Sequence, residues 1–275
     1  MNLFSQPKAV SYFPSQPEIE KNSDFYLEQK PTSFLCKRNI SVFYQFKIKQ
    51  NGAKLVSIIP DGAFDLLFCC HPSGPDVYLW TTPSKRMRIQ EGFREDCEYF
   101  GVRFYPEQQL FYFDYNMKEL LDQKIPLNDV IKMDSTFADQ IAEAQTFGER
   151  IQWFERLMEK RQAEKSPSHL IIEYSIQKIY STKGQIKIEM LSDDIGYTDR
   201  YLRKKFQEQI GVSPKQFSLI VRFQSALKII LKDYNYDLSK ILFEQGYHDQ
   251  SHFIHSFKNF TNLSPERFRE IFYNS

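Results

Sequence analysis

Apolar residues in the last third of the chain recur every three or four positions, and the same arrangement appears twice. Ile188, Leu191 and Ile195 form one stripe, and Leu202, Phe206 and Ile210 form another. That spacing places each set on one face of a helix. Gly196 lies between them, where it suits a left-handed residue ending the first helix. Thr198 stands where a side chain can cap the second. Fifty residues on, Gly246-Tyr247 echoes Gly196-Tyr197. Phe253, Phe257 and Phe268 echo Leu202, Phe206 and Phe217 at an offset of fifty-one. Gly211-Val212-Ser213-Pro214 returns as Asn262-Leu263-Ser264-Pro265, each Ser-Pro reading as an N-cap followed by proline at the first helical position. A repeat of this kind decides the architecture before any other feature.

Each copy reads as a short helix, a tight glycine turn and an amphipathic second helix. In the second copy Leu238, Ile241 and Leu242 carry the stripe of the first helix, and His248 or Asp249 can cap the next. This is a helix-turn-helix, whose second helix enters the DNA major groove. The outer face of the first recognition helix carries Asp199, Arg200, Arg203, Lys204 and Gln207; that of the second carries Gln250, Ser251, His252, His255, Lys258 and Asn259. Between the copies, 215–232 is helical in pattern and lacks Gly and Pro. Its eighteen residues span roughly 27 Å, near the ~34 Å between successive major grooves on one face of DNA. One chain can therefore fill two adjacent grooves. The change of offset from fifty to fifty-one predicts one extra residue at the start of the second recognition helix, with 248–252 spanning what 198–201 spans.

The first half has a different period. Ile40, Val42, Tyr44, Phe46 and Ile48 alternate, as a strand requires, which predicts strand over 34–49. Asn51-Gly52 is a turn signal. Further strands are expected at 54–59, 64–70, 77–80, 86–90 and 99–104, a pattern that suits a sandwich or small barrel. Helices are expected at 107–121, 135–144 and 147–164. In the last of these Ile151, Phe154, Leu157 and Met158 share one side, a spacing that serves a helix–helix seam between protomers or packing on the chain's own barrel.

The repeat resembles the AraC/XylS family of bacterial transcription regulators over roughly 170–272. The resemblance rests on Ile195-Gly196-Tyr197, Leu202-Arg203, Phe206, Gly211-Val212-Ser213-Pro214, Gly246-Tyr247-His248-Asp249-Gln250-Ser251, Phe257-Lys258, Ser264-Pro265 and Phe268-Arg269. It implies groove-facing roles for Arg200, Arg203 and Lys204, and for Gln250, Ser251, His252 and His255. Gln207 and Lys258 complete the expected DNA-binding set. Three positions depart from the family pattern: His255 replaces a usual arginine, Leu242 a small residue, and Asn262 a glycine. The first unit is therefore expected to be the stronger reader, and the half-sites unlike each other. Ile59-Pro60-Asp61-Gly62, Asp65-Leu66-Leu67-Phe68 and Gly101-Val102-Arg103-Phe104 look like the amino-terminal domain of one subgroup of these regulators. That likeness implies signal sensing or dimerisation.

The expected fold is α+β with two domains: a small cupin-like β-barrel with helices at 1–161, a linker at 162–169, and an all-α double helix-turn-helix domain at 170–275. At 275 residues, two domains are the normal expectation. A net charge of +1 alone does not suggest nucleic acid. From Leu170 on, however, fifteen Lys and Arg face twelve Asp and Glu, a net of +3, leaving −2 for the remainder. The basic charge belongs to the repeat. No apolar run reaches the length of a membrane span, and no secretory signal is seen at the start, so a cytoplasmic, nucleoid-associated bacterial protein is expected. Cys36, Cys69, Cys70 and Cys97 lack metal-site spacing, and no nucleophile elbow or phosphate loop is present. Neither cofactor nor catalysis is expected. Tyr12, Phe13, Trp80, Phe93 and Arg103 are candidate linings for a small-molecule effector in the barrel. Expected partners are promoter DNA, a second copy through 147–164, and RNA polymerase if the protein activates. The competing reading is a ligand-binding or redox-responsive protein whose helical half docks a protein partner. A redox or soft-metal site at Cys69-Cys70-His71 is disfavoured, because adjacent strand residues point to opposite faces.

Overall fold

The structure is a computed structural model that describes residues 12–49, 56–71, 74–89, 93–94, 96–113, 115–131, 136–161, 167–233 and 236–273. The Asn51-Gly52 turn signal lies outside them. The first half is built on β1 (Ser23–Gln29), β2 (Ile40–Ile48), β3 (Val56–Ile58), β4 (Phe64–Cys70), β5 (Asp76–Thr81), β6 (Met87–Ile89), β7 (Glu98–Phe104) and β8 (Lys124–Pro126). Six strands form an antiparallel sheet in the order β1-β2-β7-β4-β5-β8, and β3 pairs with β6 as a separate ribbon.

Both faces of the sheet are covered, which is why its central strands are mostly apolar and almost wholly buried. One face carries Val42, Tyr44, Phe46, Leu67, Trp80 and Tyr99 against Val56 and Ile58 of the ribbon. The other carries Phe43, Phe68, Phe100 and Phe104 against Phe154, Ile151 and Met158. The alternation along β2 thus sorts its residues between two cores. A register shift between Ile40 and Val42 sends Ile40 to the face opposite Val42, as a bulge does.

Several expectations are corrected here. The sheet ends at β1 and β8 and is not a closed, cupin-like barrel among the described residues: β1 is mostly exposed and β8 has three residues. The strand expected at 34–49 begins with a helix, Phe34–Asn39, because the Ser33 side chain caps the Cys36 amide. The helix expected at 107–121 is irregular apart from a short 3₁₀ turn, Met117–Leu120. The Gln108 side chain bonds the amides of Leu110 and Phe111 and the Phe111 carbonyl, taking the place of helical partners.

The helices, in chain order, are α1 (Pro17–Lys21), α2 (Phe34–Asn39), α3 (Leu127–Val130), α4 (Thr136–Glu143), α5 (Phe147–Glu159), α6 (Pro167–Ser181), α7 (Ile188–Ile195), α8 (Asp199–Gln209), α9 (Pro214–Lys232), α10 (Leu238–Gln245), α11 (Gln250–Thr261) and α12 (Pro265–Tyr273). The apolar side of α5 is spent within its own domain, where Ile151, Phe154 and Met158 are buried. The expected protomer seam on that side is therefore occupied. The expected linker is partly helical, since α6 starts at Pro167; 162–166 lie outside the described residues.

The second half packs around α9, whose Phe217, Ile220, Val221, Phe223, Ala226, Leu227 and Ile230 are buried. The same core reaches across to Tyr12 and Ile59 of the first half.

Candidate nucleic-acid interface

In the first unit, α7 ends at Gly196 in the left-handed conformation, φ 70°. The Tyr197 amide returns to the Ser192 carbonyl, which satisfies one of the helix's orphan acceptors. Thr198 then accepts from the Tyr201 amide and starts α8. The second unit repeats each step. Gly246 ends α10 at φ 65°, the Tyr247 amide returns to the Leu242 carbonyl, and Asp249 accepts from the His252 amide to start α11. Asn262 ends α11 in left-handed geometry at φ 58°, so it serves the role a glycine would.

The two N-caps, Thr198 and Asp249, are fifty-one apart. The extra residue therefore lies in the turn, at His248, and not at the start of the recognition helix. The echoed tyrosines differ accordingly. Tyr197 is exposed and stacks on Tyr201 at 4.7 Å, whereas Tyr247 is buried edge-on to Phe253 at 5.0 Å.

Leu202 and Phe206 of α8 face the core, which leaves Arg200, Arg203 and Lys204 exposed and Gln207 half-buried. On α11, Phe253, Phe257 and Phe260 face inward, leaving Gln250, Ser251, His252, His255 and Lys258 exposed. The expected groove-facing residues thus share the outward side of their helices. The faces differ in charge. Lys204 and Lys205 both approach Glu208, at 3.7 and 2.7 Å, so part of the positive charge of α8 is answered within the helix. These pairs are exposed and individually weak. On α11, His252 Nδ1 accepts from the His248 amide at 3.3 Å.

The candidate effector residues fall into two groups: Trp80 adjoins Phe93 and Arg103, whereas Tyr12 and Phe13 lie together elsewhere. Arg103 is buried, donating to Asp65 at 3.0 and 2.8 Å, with Asp61 at 3.6 Å. The Tyr44 hydroxyl donates to the same Asp65 carboxylate at 2.6 Å. Burial raises the pKa of Asp61, against the pull of Arg103. The space beside Arg103 and Trp80 is only about 10 Å³, close to one water. Phe93 packs on Trp80 and Tyr99. Tyr12 and Phe13 instead line a cleft of about 270 Å³ shared with Tyr180, Val221, Lys228 and Gln245 of the second half. A second cleft, about 350 Å³, lies between the aromatic stretch Phe111–Phe113 and the end of α8.

Sequence reasoning missed the groups that join the halves. Glu107 is buried and accepts from Gln177 at 3.0 Å and Tyr180 at 3.2 Å, while His169 donates to its carbonyl at 3.2 Å. Gln224 of α9 donates to the Pro60 carbonyl at 2.8 Å and accepts from the Ser15 amide at 3.1 Å. The Arg86 amide donates to Phe260 O, at the end of α11, at 2.6 Å. A buried polar residue on an otherwise apolar stripe, such as Gln224, was the available signal.

Residues 191–271 match the family model described as a helix-turn-helix domain. An uncharacterized HTH-type transcriptional regulator of Haemophilus influenzae is 42% identical over 65 residues, 24% of this chain and 22% of that protein. A Staphylococcus aureus regulator of the same description is 29% identical over 84 residues, 30% of this chain and 11% of that protein. The chain thus spans about a fifth and a tenth of the lengths of these relatives. Among solved structures, ToxT from Vibrio cholerae aligns with 11% identity over 76% of this chain and 86% of its own, at a TM-score of 0.40. A structure described as unsaturated fatty acid bound ToxT aligns with 12% identity over 92% and 98%, at 0.41.

Proposed function

We propose that this chain is a sequence-specific DNA-binding transcription regulator, in which 170–275 reads DNA and 1–161 senses a signal, dimerises, or does both. One observation carries the reading. Two helix-turn-helix units, built by the same turn and cap chemistry, each leave the polar side of their second helix exposed. Lys and Arg contacts to phosphate supply most of the affinity, and base-edge contacts the specificity. Arg200 or Arg203 to guanine is the typical pairing.

Of the two larger clefts that both halves line, the one with Tyr12, Phe13 and Lys228 is the better-supported seat for an effector, because it alone includes lysines. Apolar Val221 and Ile229 beside a lysine suit an amphipathic anion. Self-association through α5 would use its exposed face, at Trp153. A bacterial cytoplasm and contact with RNA polymerase fit this reading, and it assigns no residue to catalysis.

Fluorescence anisotropy of the full chain with fragments of its own promoter region tests the proposal. Sequence-selective binding that weakens steeply with salt is expected. Absence of selective binding at low salt rejects it.

A further inference from the structure

Cys69 and Cys97 bring their sulfur atoms to 2.6 Å, well inside van der Waals contact. Cys69 is the penultimate residue of β4, and Cys97 directly precedes β7, its neighbour in the sheet. Both side chains point into the core between the sheet and the ribbon. Cys70 packs toward the opposite core, where Cys36 is also buried. The alternation of a strand thus excludes Cys70 from the pair that Cys69 makes.

We propose that Cys69 and Cys97 are a peroxide-responsive dithiol, which closes to a disulfide across β4 and β7. A disulfide bond of about 2.05 Å requires only a sub-ångström approach of the two sulfurs. Either thiol can donate in this contact; with Tyr99, it draws the Cys69 thiol below its usual range against the effect of burial. Cys97 is pushed up by the same bond and by burial. Cys69 is assigned as the nucleophile, the thiolate being the reactive form, and Cys97 as the resolving thiol; the Cys97→Ser trap below decides the order.

The Cys69 thiolate attacks one oxygen of hydrogen peroxide. A sulfur–oxygen bond forms, the O–O bond breaks, and the departing hydroxide takes a proton to become water. The Cys97 sulfur, losing its proton, then attacks the Cys69 sulfenic acid. The S–S bond forms and a second water leaves. Two thiols lose two electrons, and one peroxide gains them. Both side chains are buried, and the exposed Arg94–Asp96 ion pair stands just before Cys97 in the chain.

The test uses the reduced full chain treated with a small molar excess of hydrogen peroxide. Thiols titrated in denaturant should fall from four to two. Non-reducing peptide mapping should join the Cys69 and Cys97 peptides, and dithiothreitol should reverse the link. Cys97→Ser should leave Cys69 as a dimedone-trapped sulfenic acid, and Cys70→Ser should leave the cross-link intact. Retention of four thiols, or a link made through Cys36 or Cys70, overturns the proposal. The wild-type map decides this even if a variant fails to fold.

Discussion

The Tyr180 hydroxyl donates to the Glu107 carboxylate over 3.2 Å, and this bond crosses from the helical half to the sheet half. Gln177 donates to the other carboxylate oxygen. Tyr180 also stacks on Tyr12 at 4.5 Å, so the two halves share a polar node set beside a ring pair. Burial pushes the Glu107 carboxyl up from 4.5 to about 7. A carboxyl raised in this way binds a proton in the folded chain where the unfolded chain has released it. Its stabilising effect is complete at acid pH and is lost as pH rises through about 7. The difference is on the order of 3 kcal/mol. Glu107→Gln should flatten the pH dependence between 4.5 and about 7 and match or exceed wild-type stability above it. Urea midpoints at both ends of that window check this. An unchanged slope would place the protonation elsewhere.

Arg86, just before β6, ties α1 to the end of α11. Its guanidinium forms a two-point pair with Glu18 of α1 at 2.7 and 2.5 Å, and both side chains are buried. Its backbone holds the end of α11 through Phe260 and Asn262. Glu18→Ala strands a buried cation, which costs roughly 3–5 kcal/mol. The expected outcome is a large drop in thermal midpoint, with faster amide exchange in α11 than in α8. Equal exchange in both helices would show that Arg86 does not steady the second unit.

Asp249 is the only side chain shown capping α11, accepting from the His252 amide at 2.8 Å, and its carboxyl is held below its usual range by that bond and by His248. Asp249→Ala should lower the denaturation midpoint, as loss of an N-cap does. Asp249→Ser should restore most of the loss, because a hydroxyl can make the same bond. Denaturant unfolding of the two variants separates a capping role from an effect of charge.

Legibility in the sequence followed the range of the interactions. The repeat could be read because its turns are local: Gly196 and Gly246 need only their own helices, and Thr198, Asp249 and Ser213 cap amides three residues on. β4 was legible to the residue because its apolar run ends at turns. Long-range partners were not legible. Arg103 looked like a pocket residue because its two aspartates are 42 and 38 positions away. The Cys69–Cys97 pair spans 28 positions and was hidden by the adjacent Cys70. Helix α2 was missed because Phe34–Asn39 has no stripe long enough to mark a period, and only the Ser33 cap separates it from the following strand.

The two recognition helices should contribute unequally to DNA binding. Arg200 and Arg203 stand exposed on α8, and a bidentate Arg–guanine contact discriminates by about 1–3 kcal/mol. On α11 the corresponding face offers Gln250, Ser251, His252 and His255, and an imidazole supplies no guanidinium fork. Arg203→Ala should therefore relax specificity in one half-site, weakening the preferred sequence about ten-fold or more. His255→Ala should change affinity little. His255→Arg should tighten binding to all sequences and steepen the salt dependence by about one ion, as an added phosphate contact does. Anisotropy titrations with half-site-scrambled duplexes distinguish these outcomes. Equal losses from Arg203→Ala and His255→Ala would show that α11 reads DNA as strongly as α8.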